Sequence, residues 1–207
     1  MDKKIMSVLN ELNEHAEREK NGEIQIPREE QMLSITEDTG KFLNILCKGI
    51  GAKHVLEIGT SVGFSTIWLA EAIKEKNGKV ITIEQDQEKI KRAKENFKNA
   101  GISDYVQTNH YKALDLIKKQ KSSIDEGNGT KFDLVFIDAD KENLKEYFDI
   151  LIQVIKINGI IVTDNILYPE KFRPIMLEYK QHVESMTNVR TVTVPIGNGE
   201  EVSIKIV

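Results

Sequence analysis

Between His54 and Asp164 the chain alternates five short strand-like runs with four segments of helical period, and no other feature limits its fold as strongly. The runs at 54–58, 79–84, 105–110, 132–137 and 159–164 read as strands, and 64–76, 86–100, 113–120 and 142–155 read as helices. Such repetition gives parallel strands joined by crossovers, with helices on both faces of the sheet. Leu144, Tyr147, Phe148, Leu151, Val154 and Ile155 show the period by which one helix packs onto it. After Pro169 a helix over roughly 172–185 leads to two further strand-like runs, Arg190–Val194 and Val202–Ile206, joined through Gly197-Asn198-Gly199 as a hairpin. The expected fold is α/β: a doubly wound, mostly parallel, seven-stranded sheet whose edge is closed by an antiparallel C-terminal hairpin.

Two helices precede the sheet. Ile5, Val8, Leu9 and Leu12 line one face of the first, and Asn21-Gly22 and Pro27 end it. Ser34 and Glu37 have capping-box spacing ahead of the second, whose apolar face is Phe42, Leu43, Ile45, Leu46 and Ile50. The whole chain, 1–207, reads as one domain, with 1–50 a helical segment and 51–207 the core. The polar stretch Lys121–Thr130 reads as a mobile surface loop.

Composition narrows the function. No apolar run reaches membrane-spanning length, and the polar start Met1-Asp2-Lys3-Lys4 lacks a signal-peptide core, so a cytoplasmic protein without membrane contact is expected. A formal charge of −4 gives no general attraction to nucleic acid. The single cysteine, Cys47, lies in an apolar helical pattern and reads as a packed core thiol.

The first strand runs into Gly59-Thr60-Ser61-Val62-Gly63 and then a helix. Glycines there let a ligand approach the backbone, and the helix start offers unpaired N–H groups. The Gly-x-x-x-Gly spacing differs from that of dinucleotide binders, and Glu57 before the turn disfavours a pyrophosphate while suiting an ammonium group. Glu84 ends the second strand, where a carboxylate accepts from ribose hydroxyls. Ala113, beyond the third strand, stands where an adenine ring would be enclosed, with His110 the weaker candidate.

In the other half, Leu134-Val135-Phe136-Ile137 stops at Asp138, and Gly159-Ile160-Ile161-Val162-Thr163 stops at Asp164, followed by Asn165. Strand ends of this kind open into the ligand crevice of a parallel sheet. Helix capping accounts for one such aspartate more readily than for the pair and the adjacent amide. Three oxygen donors favour Mg²⁺, Mn²⁺ or Ca²⁺. Lys141, at the start of the next helix, would act as a base if partly desolvated beside a cation. Asp140 is expected to face substrate or water, and Tyr168 to supply an aromatic wall.

At these residues the chain resembles the class I S-adenosylmethionine methyltransferases, specifically the cation-dependent O-methyltransferases of the catechol and caffeoyl-CoA type. The resemblance covers nearly all of it, from Ser34 to Pro195-Ile196-Gly197-Asn198-Gly199, and is most specific at Phe136-Ile137-Asp138-Ala139-Asp140-Lys141 and Asp164-Asn165. It implies a Rossmann-like core, with Glu57, Gly59, Thr60 and Ser65 at the amino-acid end of the cofactor, Glu84 at its ribose and Ala113 at its adenine. Leu33 and Ile35 fall in the cofactor-covering segment; Asp138 also borders the cofactor. Asp138, Asp164 and Asn165 match the metal ligands and Lys141 the catalytic lysine. A small hydroxylated aromatic acceptor and a homodimer are further implied. Tyr168-Pro169-Glu170-Lys171 replaces a common tryptophan loop, and Gly197-Asn198-Gly199 replaces Gly-Asp-Gly. Two alternatives stand beside this reading: a tRNA hydroxyuridine O-methyltransferase, and a non-catalytic S-adenosylmethionine-binding module.

Overall fold

The computed structural model describes residues 2–27 and 30–207. One sheet holds seven strands, β1 His54–Ile58, β2 Lys79–Glu84, β3 Val106–His110, β4 Phe132–Ile137, β5 Ile155–Thr163, β6 Val189–Val194 and β7 Glu200–Lys205, in the order β3-β2-β1-β4-β5-β7-β6. The first five are parallel; β7 enters between β5 and β6 and runs antiparallel to both. The hairpin therefore closes the sheet with its second strand inside and its first at the edge.

Seven helices cover the sheet: α1 Lys3–Lys20, α2 Glu37–Gly49, α3 Phe64–Ile73, α4 Gln87–Ala100, α5 Ala113–Asp125, α6 Leu144–Val154 and α7 Arg173–Glu184. Strand side chains alternate between two cores. Val55, Leu134, Phe136, Ile160 and Val162 pack with α1 to α4, while Leu56, Val135, Ile137 and Ile161 pack with α5 to α7. With both faces covered, the central strands β1 and β4 and the end of β5 are mostly apolar, whereas the edge strand β3, Val-Gln-Thr-Asn-His, is not.

All ten residues of α3 are buried, because α2 packs over its outer side. Asn44 of α2 donates to Glu71 of α3 at 2.6 Å, and Lys48 pairs with the same carboxylate at 2.8 Å. The apolar face of α1, Ile5, Val8, Leu9 and Leu12, is buried against its own chain, chiefly on α4. That face is thus used internally. Cys47 is 1% exposed, as a core thiol should be, and burial pushes it up to about 12.

Several boundaries differ from the sequence reading. The cap of α2 is Thr36, whose hydroxyl accepts from Thr39 N–H at 3.2 Å, so Ser34 lies ahead of the helix. Helix α5 continues to Asp125 with a Lys121–Asp125 ion pair, so half of the expected loop is helical. Strand β5 starts at Ile155, directly after α6, because Phe132 pairs with Ile155 ahead of a register shift. Asp133 stitches this end together, accepting from the N–H groups of Lys53 and His54, both at 2.9 Å, and pairing with Lys156 at 2.6 Å. No helix among the described residues is long and apolar enough to cross a membrane.

Candidate active site

The strand order reverses between β1 and β4, and a crevice opens at the carboxyl ends of strands at such a point. Here it is a cavity of about 980 Å³, and Gly59, Glu84, Ala113, Asp138, Asp164 and Asn165 all line it. Turns far apart in sequence meet there because their strands are neighbours.

In the glycine turn, Gly59 has φ +105°, and a Cβ on it would stand 2.0 Å from the carbonyl oxygen of Asp138. A Cβ on Gly63, at φ +89°, would meet the Phe97 ring at 2.4 Å. Both glycines thus also make room for the chain itself. Leu33, Ile35, Gly59, Thr60 and Ser65 together line a small annex of the crevice. Leu33 has φ +47° and is 57% exposed, whereas Ile35 is buried. The Ser61 hydroxyl donates to the Met32 carbonyl, laying this covering segment over the turn.

Glu57 is fully buried below the turn. Its Oε2 accepts from the hydroxyls of Thr82, at 2.6 Å, and Thr66, while Oε1 has no partner among the described residues. Burial pushes the carboxyl up to about 7 against the opposing hydroxyls of Ser65, Thr66 and Thr82. An orphaned carboxylate oxygen at that depth fits a cationic ligand group. Glu84 is held by its own backbone: Oε2 accepts from Ser61 N–H at 2.8 Å, and Oε1 from the N–H groups of Gln85 and Asp86 at 2.9 and 3.0 Å. Ala113 opens α5 in the cavity wall, and His110 Nε2 lies 3.0 Å from the Gln85 carbonyl.

On the other side, Ile137 pairs with Thr163, so Asp138 and Asp164 leave adjacent strands side by side. The N–H of Asp138 donates to Ile58 and that of Asp164 to Ile137, at 2.9 and 3.0 Å. Neither caps a helix, since α6 starts at Leu144 behind Asn143. Lys141 consequently lies in the loop before α6 rather than in its first turn. It is 7% exposed, with Nζ 3.4 Å from Asp138 Oδ1. Asn165, at φ +71°, donates to Asp164 through its backbone N–H at 2.6 Å and its amide at 3.2 Å.

Asp140 is exposed on the cavity wall, and its carboxylate accepts from Tyr147 Oη and Asn143 Nδ2. Tyr168 is 60% exposed and outside the cavity lining, where Pro169, Lys171 and Phe172 stand instead. Glu200, which the sequence reading missed, opens β7 with 0% exposure; Oε1 accepts from Thr39 Oγ1 at 3.0 Å. Its one signal in the sequence is an acid at the start of a strand that proves to be internal. Burial and the neighbouring Asp164 raise its carboxyl, and burial with Asp138 raises that of Asp164. Asp138, Asp164 and Glu200 are thus electrostatic neighbours, with the Lys141 ammonium against Asp138, and oxygen donors of this kind are those a hard cation takes. Among the described residues, no group of three or more His, Cys, Asp or Glu side chains is arranged to hold a metal ion. A cation here would draw on Asp138 and Asp164 with the Asn165 amide.

A family profile described as O-methyltransferase matches residues 5–206. The chain belongs to the O-methyltransferase family. It is 39% identical over 135 residues to a catechol O-methyltransferase of Niastella koreensis, a match covering 65% of this chain and 59% of that protein. A caffeoyl-CoA O-methyltransferase of Eucalyptus globulus is 28% identical over 183 residues, covering 81% and 73%. An O-methyltransferase from Bacillus cereus, solved with SAH, superposes at a TM-score of 0.79 with 25% identity over 96% of this chain and 90% of that one. The family implied by Phe136–Lys141 and Asp164-Asn165 is the family found, and its α/β sheet is the expected one.

Proposed function

We propose that this O-methyltransferase family member transfers the methyl group of S-adenosylmethionine to a hydroxyl of a small catechol-like or phenolic acceptor, assisted by a divalent cation, Mg²⁺ first among candidates. One observation carries the reading: the Asp138–Asp164–Lys141 cluster and the Gly59–Glu84 wall share one crevice. When bound, the cation lowers the acceptor hydroxyl's hold on its proton, and the cofactor supplies the methyl group. Glu57, buried beneath the glycine turn with one unpaired oxygen, would answer the cofactor's ammonium, and Glu84 would offer its fixed carboxylate to the ribose. Lys141, nearly shut off from water, takes the hydroxyl proton when its amine is neutral and becomes the ammonium. The walls hold both reactants in attack geometry, worth roughly 7–11 kcal/mol in favourable cases.

Bacterial and plant relatives named for catechol and caffeoyl-CoA support the acceptor class. A cytoplasmic homodimer completes the reading; with α1 spent on its own core, the contact would use the exposed Ile45 and Ile50. The test is transfer of labelled methyl to a panel of catechols, caffeoyl-CoA and tRNA, with and without EDTA. Cation-dependent methylation of a catechol is expected. Labelling of tRNA alone would replace the acceptor, and a rate indifferent to EDTA would remove the cation.

A further inference from the structure

The turn from β4 into α6 carries both Asp138 and Lys141, and each residue from 138 to 143 lines the cavity. Its entry is fastened by the Asp138 N–H donating to the Ile58 carbonyl at 2.9 Å. Its middle is fastened through Asp140. That side chain is exposed, yet both oxygens are taken: Oδ1 by the Tyr147 hydroxyl at 2.5 Å and Oδ2 by the Asn143 amide. Tyr147 is 3% exposed, sits in the first turn of α6 and belongs to the core beneath that helix, so its hydroxyl is a fixed point. Lys141 follows Asp140 directly, with its ammonium against Asp138. Moving the backbone at 140 moves Lys141.

We propose that Tyr147 is a positioning residue which, through Asp140, locks the 138–143 turn in the arrangement that seats Lys141 against Asp138 and forms this wall of the cavity. The proposal rests on the methyl-transfer reading for what the cavity holds, but not for the lock itself. Burial and the Asp140 carboxylate push the Tyr147 phenol upward, so it stays a donor throughout the working pH range and is not the base. Asp140 is thereby reassigned from substrate contact to anchor.

Tyr147→Phe removes one hydroxyl and keeps the ring in the core. Hydrogen exchange on the ligand-free protein should show the amides of 138–143 exchanging about tenfold faster, with the sheet and other helices unchanged. Calorimetry with S-adenosylmethionine should show affinity reduced by about three- to tenfold. Asp140→Ala should match that loss, and the double variant should be no weaker than either single one, because both cut the same tether. In turnover, kcat should fall with the acceptor KM little changed. Wild-type exchange of 138–143 in Tyr147→Phe would overturn the lock, as would full additivity in the double variant. If the wild-type protein fails to bind S-adenosylmethionine, the functional reading falls while the exchange experiment still decides the lock.

Discussion

Glu200 faces Asp164 one position beyond the last ladder pair of β5 and β7, Thr163 with Glu201, so two buried carboxylates meet across adjacent strands. Burial raises both above their ordinary range, reinforced by the Asp164 charge at Glu200 and by the Asp138 charge at Asp164. The folded chain then holds protons that the unfolded chain releases. Stability from this pair is fully present below the ordinary carboxylate range and is lost as pH rises through about 7 for Asp164 and about 10 for Glu200. Without divalent cations, melting temperature should decline from about pH 5 to about pH 10. Glu200→Gln should flatten that decline, and Mg²⁺ should raise the wild-type value at the alkaline end. Identical profiles for the two proteins would show that the pair contributes nothing.

Asp164→Ala and Lys141→Ala should fail in different ways. The first removes a charged oxygen from the proposed cation site, so metal-dependent turnover should collapse while S-adenosylmethionine affinity is kept, with partial recovery in excess Mg²⁺. The second leaves the carboxylates in place and removes the proposed base. Its rate should fall by about 10²–10⁴ and recover as rising pH ionises the acceptor unaided. Full activity of Lys141→Ala across pH would make the lysine only a buried counter-charge to Asp138.

Gly59→Ala should unfold the protein or destabilise it by on the order of 3 kcal/mol or more, because its Cβ would meet the Asp138 carbonyl at 2.0 Å on a backbone at φ +105°. Gly22→Ala is the control: its φ is +72° but nothing lies within 4 Å, so only the backbone penalty, about 1 kcal/mol, remains. Thermal melts of the two variants should differ clearly; equal losses would mean that the β1–β4 approach can relax.

Glu57→Gln separates stability from binding. The carboxyl is pushed up to about 7 by burial, so its ionisation penalty is complete above that pH and absent below about 4.5, with an upper bound near ~3 kcal/mol. The variant should melt higher than wild type at pH 8, show no gain at pH 4, and bind S-adenosylmethionine more weakly at pH 8, with the difference shrinking at pH 4, where both side chains are neutral. Unweakened binding would mean that the unpaired Oε1 faces no ligand.

Local pattern was sufficient where each residue reports its own surroundings. Mostly apolar central strands announced a sheet covered on both faces, and Asp138 and Asp164 stood out because an acid ends each run. The same logic misjudged Lys121–Asp125, whose polarity suits a solvated helix as well as a loop. It also misplaced the cap of α2, since Ser34 and Thr36 offer equivalent hydroxyls and only the path of the covering segment chooses between them.

Strand and helix order, the doubly wound class and the acidic strand ends belong to the sequence by itself, because side-chain period and strand termini are set by near neighbours along the chain. Tertiary structure alone decided that β7 enters beside β5 and brings Glu200 to Asp164, that Gly59 yields its side-chain space to Asp138, and that α1 is spent on α4 rather than on a partner. It also decided that Asp140 is tethered to Tyr147. These relationships join residues whose separation in sequence says nothing about their distance, and they follow from register and packing, which exist only once the sheet has closed.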